Sequence, residues 1–274
     1  MAQSKVGKIA LSECRIRKLL SGDQGKATIG SGCIVTLNLG SEASNSKPGV
    51  FLITTTQVIA KNDLLSPSTS IVVELLDGGN GELLTFNLGF KYATETPDPI
   101  PGRVLEGTGD ALKEVSFLAI PVNKFDNRNW FQRKYSSFRG YSFEKRSLAC
   151  SFESDEKLRL ALSRRKVFCH VLCDGRTNGS FNAEPYCLEF ANLDSNEFAL
   201  TSPLDHDGVD DIKQLKDFHK EEKPRGAPLL DAEGKFVGML AVAPSQERKL
   251  FPLFLSTMEQ DSSTPHTRMI RGEY

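Results

Sequence analysis

The side chains best suited to recognition are concentrated in residues 124–147. Lys124, Arg128, Arg133, Lys134, Arg139, Lys145 and Arg146 alternate there with Phe125, Trp130, Phe131, Tyr135, Phe138, Tyr141 and Phe143, against only Asp126 and Glu144. Aromatic faces within a positive field stack single-stranded bases. Trp, Tyr and Arg are equally the residues that dominate protein interfaces. A third reading is that these aromatics pack into the fold itself. Trp130, Phe131, Arg133, Lys134 and Tyr135 are the candidate binding residues of this stretch, for a protein or peptide partner first and nucleic acid second. Arg159, Arg164, Arg165 and Lys166 add to the positive charge further along.

Other groupings carry less chemistry. Cys169, His170, Cys173 and Cys187 are metal-ligand types, but they form no paired C-x-x-C knuckle. Residues 166–173 read as a strand, in which alternation puts Cys169 and Cys173 on one face and His170 on the other. No metal is expected. The run Asp205-His206-Asp207-Gly208-Val209-Asp210-Asp211 lacks the ligand alternation and terminal Glu of a calcium loop, and fits a helix cap with an acidic first turn. Gly25-Lys26 and Gly78-Gly79-Asn80-Gly81 are too short to cradle phosphate and read as hairpin turns. No cofactor is expected.

The elements that must position such residues follow from composition and pattern. The 274 residues carry 34 Lys plus Arg against 35 Asp plus Glu, and 39% are hydrophobic. That balance excludes a globally basic nucleic-acid binder and a strongly acidic disordered chain, so any charged site must be local. No apolar run is long enough to cross a bilayer, so no membrane partner is expected, and the first residues lack a secretory h-region. Six scattered cysteines suit small buried hydrophobes in a reducing compartment, which points to the cytoplasm or nucleus. Short β-branched and aliphatic runs at 31–38, 50–54, 70–76, 83–90 and 115–120 are separated by Gly, Pro, Asn and Asp. Further runs follow at 147–152, 166–173, 186–190, 197–201, 228–231 and 235–242. So many strands without βα alternation predict an all-β protein of two barrels or sandwiches. Helices are expected at 154–164 and at 208–219, the latter capped by Asp207. Residues 258–274 have tail composition, and Met1 and this tail are read as an independent start and stop.

Four patterns, in one order, resemble a protein family. Gly30-Ser31-Gly32-Cys33-Ile34-Val35 is similar to the opening G-S-G strand of trypsin-like serine proteases of the chymotrypsin fold, in the intracellular HtrA-like style. Phe51-Leu52-Ile53-Thr54-Thr55-Thr56-Gln57-Val58-Ile59 resembles the L-T-x-x-H-V-I segment that carries the catalytic histidine, and Glu114-Val115-Ser116-Phe117-Leu118-Ala119-Ile120 the strand that carries the aspartate. Lys223-Pro224-Arg225-Gly226-Ala227-Pro228 resembles the G-x-S-G-x-P turn that holds the nucleophile, and residues 231–239 the hairpin that closes the fold. The resemblance covers about residues 15–255. It implies two six-stranded antiparallel β-barrels with short helices: an N-terminal barrel at 1–123, an inter-barrel segment at 124–147, a C-terminal barrel at 148–257 and a tail at 258–274.

The same resemblance implies that the chemistry is lost. Gln57 stands at the histidine position, and its amide cannot take a proton near neutral pH. Ser116 stands at the aspartate position, the alignment there being open by one residue, with Glu114 the one conceivable substitute. Arg225 stands at the nucleophile position, and a guanidinium is permanently charged. Its charge either finds an internal partner, with Glu114, Asp231 and the acidic 205–211 loop as candidates, or serves as an anion or C-terminal carboxylate site. The expectation is a non-catalytic pseudoprotease acting as an intracellular binding, scaffolding or regulatory module. The alternatives are a hydrolase with a non-standard centre and an RNA-binding β-domain.

Overall fold

The structure is a computed structural model; it describes residues 11–19, 26–37, 49–60, 70–76, 83–88, 99–105, 115–122, 143–174, 183–194, 197–201, 225–243 and 246–255. The first half contributes β1 (Glu13–Leu19), β2 (Lys26–Leu37), β3 (Gly49–Thr55), β4 (Ser70–Leu76), β5 (Leu83–Leu88), β6 (Ile100–Arg103) and β7 (Ser116–Pro121). After the short helix α1 (Phe143–Arg146) and the two-residue β8 (Leu148–Ala149) comes helix α2 (Asp155–Ser163). The second half consists of β9 (Val167–Asp174), β10 (Ala183–Asp194), β11 (Glu197–Thr201), β12 (Pro228–Leu230), β13 (Phe236–Ala243) and β14 (Gln246–Leu255).

Two six-stranded antiparallel units result, in the order β7-β3-β2-β1-β4-β5 and β11-β10-β9-β12-β13-β14, as an all-β reading of the sequence predicts. Strand β6 joins them, pairing with β7 on one side and β14 on the other. Each unit curls. Phe86 and Leu88 of β5 share one apolar cluster with Leu118 and Ile120 of β7, at the opposite end of the strand order. In the second unit, Phe198 of β11 meets Phe251 of β14 edge-on, ring centroids 6.4 Å apart. Among the described residues no ladder joins these outer strands, so side-chain packing brings them together.

The core has three parts. One cluster fills the first unit, with Cys14, Ile16, Ile34, Leu52, Ile71 and Val73 among its members. A second fills the other unit, where Leu158 and Leu162 of α2 cover Cys169, Val171 and Phe190. The third lies between the units and takes Val35, Ile53 and Phe117 from one side and Phe236, Met239 and Phe251 from the other. Alternation in β3 feeds two of these clusters: Leu52 faces the inside of its own unit and Ile53 the neighbouring unit. A strand buried on both faces reads as an unbroken apolar run, which is why 50–54 is easy to find in the sequence.

Helix α2 falls where expected, with Ser154 at its N-cap accepting from the Lys157 amide at 3.5 Å and Leu158 and Leu162 one turn apart on the buried face. Three strands have no counterpart in the sequence reading. Strand β1 carries Glu13, Arg15 and Arg17 at alternate positions, a charged stripe that argues for solvent although all three are buried. Strand β6 contains Pro101 and Gly102, and β14 contains Pro252, residues that weaken a strand assignment. Pro252 pairs only with Leu240 of β13; β6 reaches β14 at Phe254 and Leu255, so the proline's missing amide interrupts no second ladder. The run 147–152 yields only β8, which pairs parallel with β2. The helix expected at 208–219 and the tail at 258–274 lie outside the described residues.

Candidate functional site

The three positions singled out by sequence converge on one junction between the units. Strand β3 ends in a turn, where the amides of Val58 and Ile59 both donate to the Thr55 carbonyl at 2.9 and 3.2 Å. This turn is held from the β7 side by Ser116. The Thr56 amide donates to the Ser116 carbonyl at 2.9 Å, and the Ser116 amide donates to Thr56 Oγ1 at 3.1 Å. Position 57 thereby sits one residue from a main-chain clamp onto position 116.

Arg225 and Gly226 approach from the second unit. The Ser31 amide donates to the Arg225 carbonyl at 2.8 Å, and the Gly226 amide donates to the Leu240 carbonyl at 2.8 Å. Gly226 has φ +75, and a Cβ there would stand 2.3 Å from the Ser31 carbonyl oxygen. Both conformation and space therefore demand glycine. Gly30 does the reciprocal service, since its Cβ would lie 2.6 Å from the Arg225 carbonyl oxygen. Thr54 Oγ1 donates to the Ser31 carbonyl at 2.8 Å and completes the seat. The Gly-Ser-Gly opening strand, the post-β3 turn and the Arg-Gly turn thus meet as one packed unit, with position 57 on a turn flanked by positions 116 and 225.

Gln57 spans the units. Its Nε2 donates to the Val242 carbonyl, and its Oε1 accepts from the Val242 amide at 3.0 Å. The side-chain amide behaves as one more peptide group added to β13, with both polar ends occupied. Arg225 is different. It is partly exposed, and its Nε is buried with no hydrogen-bond partner. Asp231 does not serve it: Asp231 Oδ1 accepts from the amides of Glu233 and Lys235 at 2.8 and 2.9 Å, closing the β12–β13 turn. Glu114 and residues 205–211, the other acids considered for Arg225, lie outside the described residues.

The remaining candidates divide in the same way. Trp130, Phe131, Arg133, Lys134 and Tyr135 lie outside the described residues. Within the aromatic-basic stretch, Phe143 packs on Phe86 with centroids 5.3 Å apart, and Arg146 Nη1 donates to the Leu76 carbonyl at 2.7 Å. Those two side chains serve the fold. Cys169 faces the apolar cluster of the second unit. His170 turns the other way, its Nδ1 against Glu13 Oε2 of β1, with both side chains 0% exposed. Sequence weighed His170 only as a metal ligand. Glu13 gave no signal at all, because nothing local announces a partner 157 residues away.

The thiols bear on whether another nucleophile is available. Burial pushes the Cys14 and Cys33 thiols well above their ordinary range, reinforced by the nearby Glu13 charge, and burial alone takes Cys150 up to about 12. A thiol rather than a thiolate is the neutral-pH form of all three, and the thiolate is the reactive species. Native protein should therefore react with an alkylating reagent at these cysteines far more slowly than unfolded protein. Peptide mapping after timed alkylation at pH 7.5 checks this, and rapid labelling of Cys150 in the native state would contradict it.

No family model matches the chain, and no curated protein matches it. Among solved structures, the MamO protease domain from Magnetospirillum magneticum aligns at 13% identity and TM-score 0.37, covering 91% of this chain and 93% of its own. The tobacco vein mottling virus protease aligns at 8% identity and TM-score 0.40, covering 92% and 81%. Catalytically active tobacco etch virus protease, in complex with product, aligns at 11% identity and TM-score 0.41, covering 96% and 80%.

Proposed function

We propose that this chain is a catalytically inactive homologue of trypsin-like serine proteases, working inside the cell as a protein- or peptide-binding regulatory module. The observation that carries the reading is the state of Gln57. Acyl transfer by a hydroxyl needs a neighbouring base that takes its proton, and a carboxylate that orients the base. The Gln57 amide cannot accept that proton, and both its oxygen and its nitrogen are engaged by the main chain of Val242. Ser116 offers no carboxylate, and Arg225 offers no nucleophile. The protonated thiols of Cys14, Cys33 and Cys150 lend no support to a cysteine alternative.

Loss of the chemistry leaves the architecture intact, because Gly30, Gly226 and the Ser116–Thr56 pairing serve packing rather than proton transfer. What the junction retains is a turn that presents one cation from the second unit beside the first. Such a surface suits binding. The purified full chain should hydrolyse no member of a broad peptide library, and Arg225→Ala should be equally silent. Turnover by the wild type that survives Arg225→Ala would place catalysis in another centre and defeat this reading.

A further inference from the structure

Arg225 is a cation for which the described residues provide no acceptor. Its Nε is withdrawn from solvent without a hydrogen bond, although the side chain as a whole is partly exposed. The groups that meet the Arg225–Gly226 main chain come from Gly30, Ser31, Thr54, Val58 and Leu240, all uncharged. The nearest described acid along the chain, Asp231, is committed to its own hairpin turn. A dried guanidinium donor without a partner is costly, and buried polar groups in native proteins are almost always matched. With no acceptor among the described residues, the partly exposed remainder of the group is where one supplied from outside can meet it.

We propose that Arg225 receives a carboxylate of the bound peptide or protein, so that the position of a lost nucleophile has become an anion clamp. The inference rests on the reading of this chain as a binding module. A carboxylate fits better than a phosphate. A planar guanidinium matches two carboxylate oxygens and balances their single charge. A phosphate dianion would call for a second cation, and the described elements of this junction supply none. The main-chain bond from Ser31 to the Arg225 carbonyl fixes the base of the side chain, so less of its freedom is left to lose on binding.

The test uses dansyl-labelled random decapeptide pools and the full-length chain. The pools are made with a free C-terminus or a C-terminal amide, and each with or without Asp and Glu. Wild-type protein should retain peptides from pools that carry a carboxylate and reject the pool with none. The choice between the free-acid pool lacking Asp and Glu and the amide pool containing them identifies the source as C-terminal or side-chain. Arg225→Gln should weaken retention about tenfold to a hundredfold, and Arg225→Lys should recover only part of it, because an ammonium lacks the planar fork. Melting curves of both variants should overlay the wild type.

Equal retention of the carboxylate-free pool, or undiminished binding by Arg225→Gln, would overturn the clamp while leaving the binding-module reading in place. Retention of no pool by the wild type would overturn the clamp as well. Cleavage of retained peptides would instead overturn the binding-module reading itself.

Discussion

Glu74→Ala is expected to cost the fold about 3–5 kcal/mol, because it removes the carboxylate shared by two buried guanidinium groups. Arg15 reaches Glu74 Oε2 through Nη2 at 2.7 Å and Nε at 2.9 Å, and Arg17 reaches the same oxygen through Nε at 3.1 Å. The three side chains are 2%, 8% and 7% exposed. Taking the anion of β4 away leaves two like charges, two residues apart on the neighbouring strand β1, in a poorly solvated place. Urea unfolding followed by circular dichroism would show the loss as a lowered midpoint. Added salt should change it little, since counter-ions screen buried pairs poorly. The exposed Lys235–Glu233 pair is the contrast, and Glu233→Ala should leave the midpoint where it was. If Arg15→Met, Arg17→Met and Glu74→Leu combined restore most of the stability, the cost of Glu74→Ala lies in the stranded charges and not in the worth of the bonds. A midpoint unchanged in Glu74→Ala would mean that the two arginines are solvated.

The same triplet explains what the sequence could not disclose. Strand prediction reads alternation as one apolar and one wet face, and β1 breaks that assumption on both counts. Cys14 and Ile16 enter the core of the first unit, while Glu13, Arg15 and Arg17 are buried on the other face through partners in β9 and β4. Those partners lie 157 and 59 residues away, beyond any local pattern. Strands such as β4 and β11, by contrast, match the sequence reading residue for residue, because β-branched and aliphatic runs bounded by turn residues need no distant information. The site was legible in its glycines. Gly30 and Gly226 mark where two backbones approach within the space of a Cβ, and a sequence records that constraint directly. The use of Gln57 was not legible, since its two bonds to Val242 depend on how one unit docks on the other.

That docking is where the second large effect is expected. His170 of β9 and Glu13 of β1 meet between the units with no exposure on either side chain, and His170 Nε2 has no hydrogen-bond partner. Glu13→Ala takes the buried carboxylate from His170, and His170→Ala takes the imidazole from Glu13; each is expected to cost about 3–5 kcal/mol. The double variant should cost clearly less than the sum, with a coupling energy of about 0.5–3 kcal/mol, whereas additive losses would show that the two groups do not act together. The pair also closes a circuit. Strand β1 is laddered to β2, whose Ser31 holds the Arg225 carbonyl; Arg225 leads into β12, which is laddered to β9. Glu13–His170 is the direct brace between the two ends of that path. Its loss should therefore be felt at the junction before it is felt in the outer strands. Hydrogen exchange on Glu13→Gln should show the amides of Ser31 and Gly226 losing protection ahead of those in β4, even where the variant remains folded. Uniform loss of protection through both units would instead mean that the brace supports the fold as a whole and has no particular hold on the Arg225 turn.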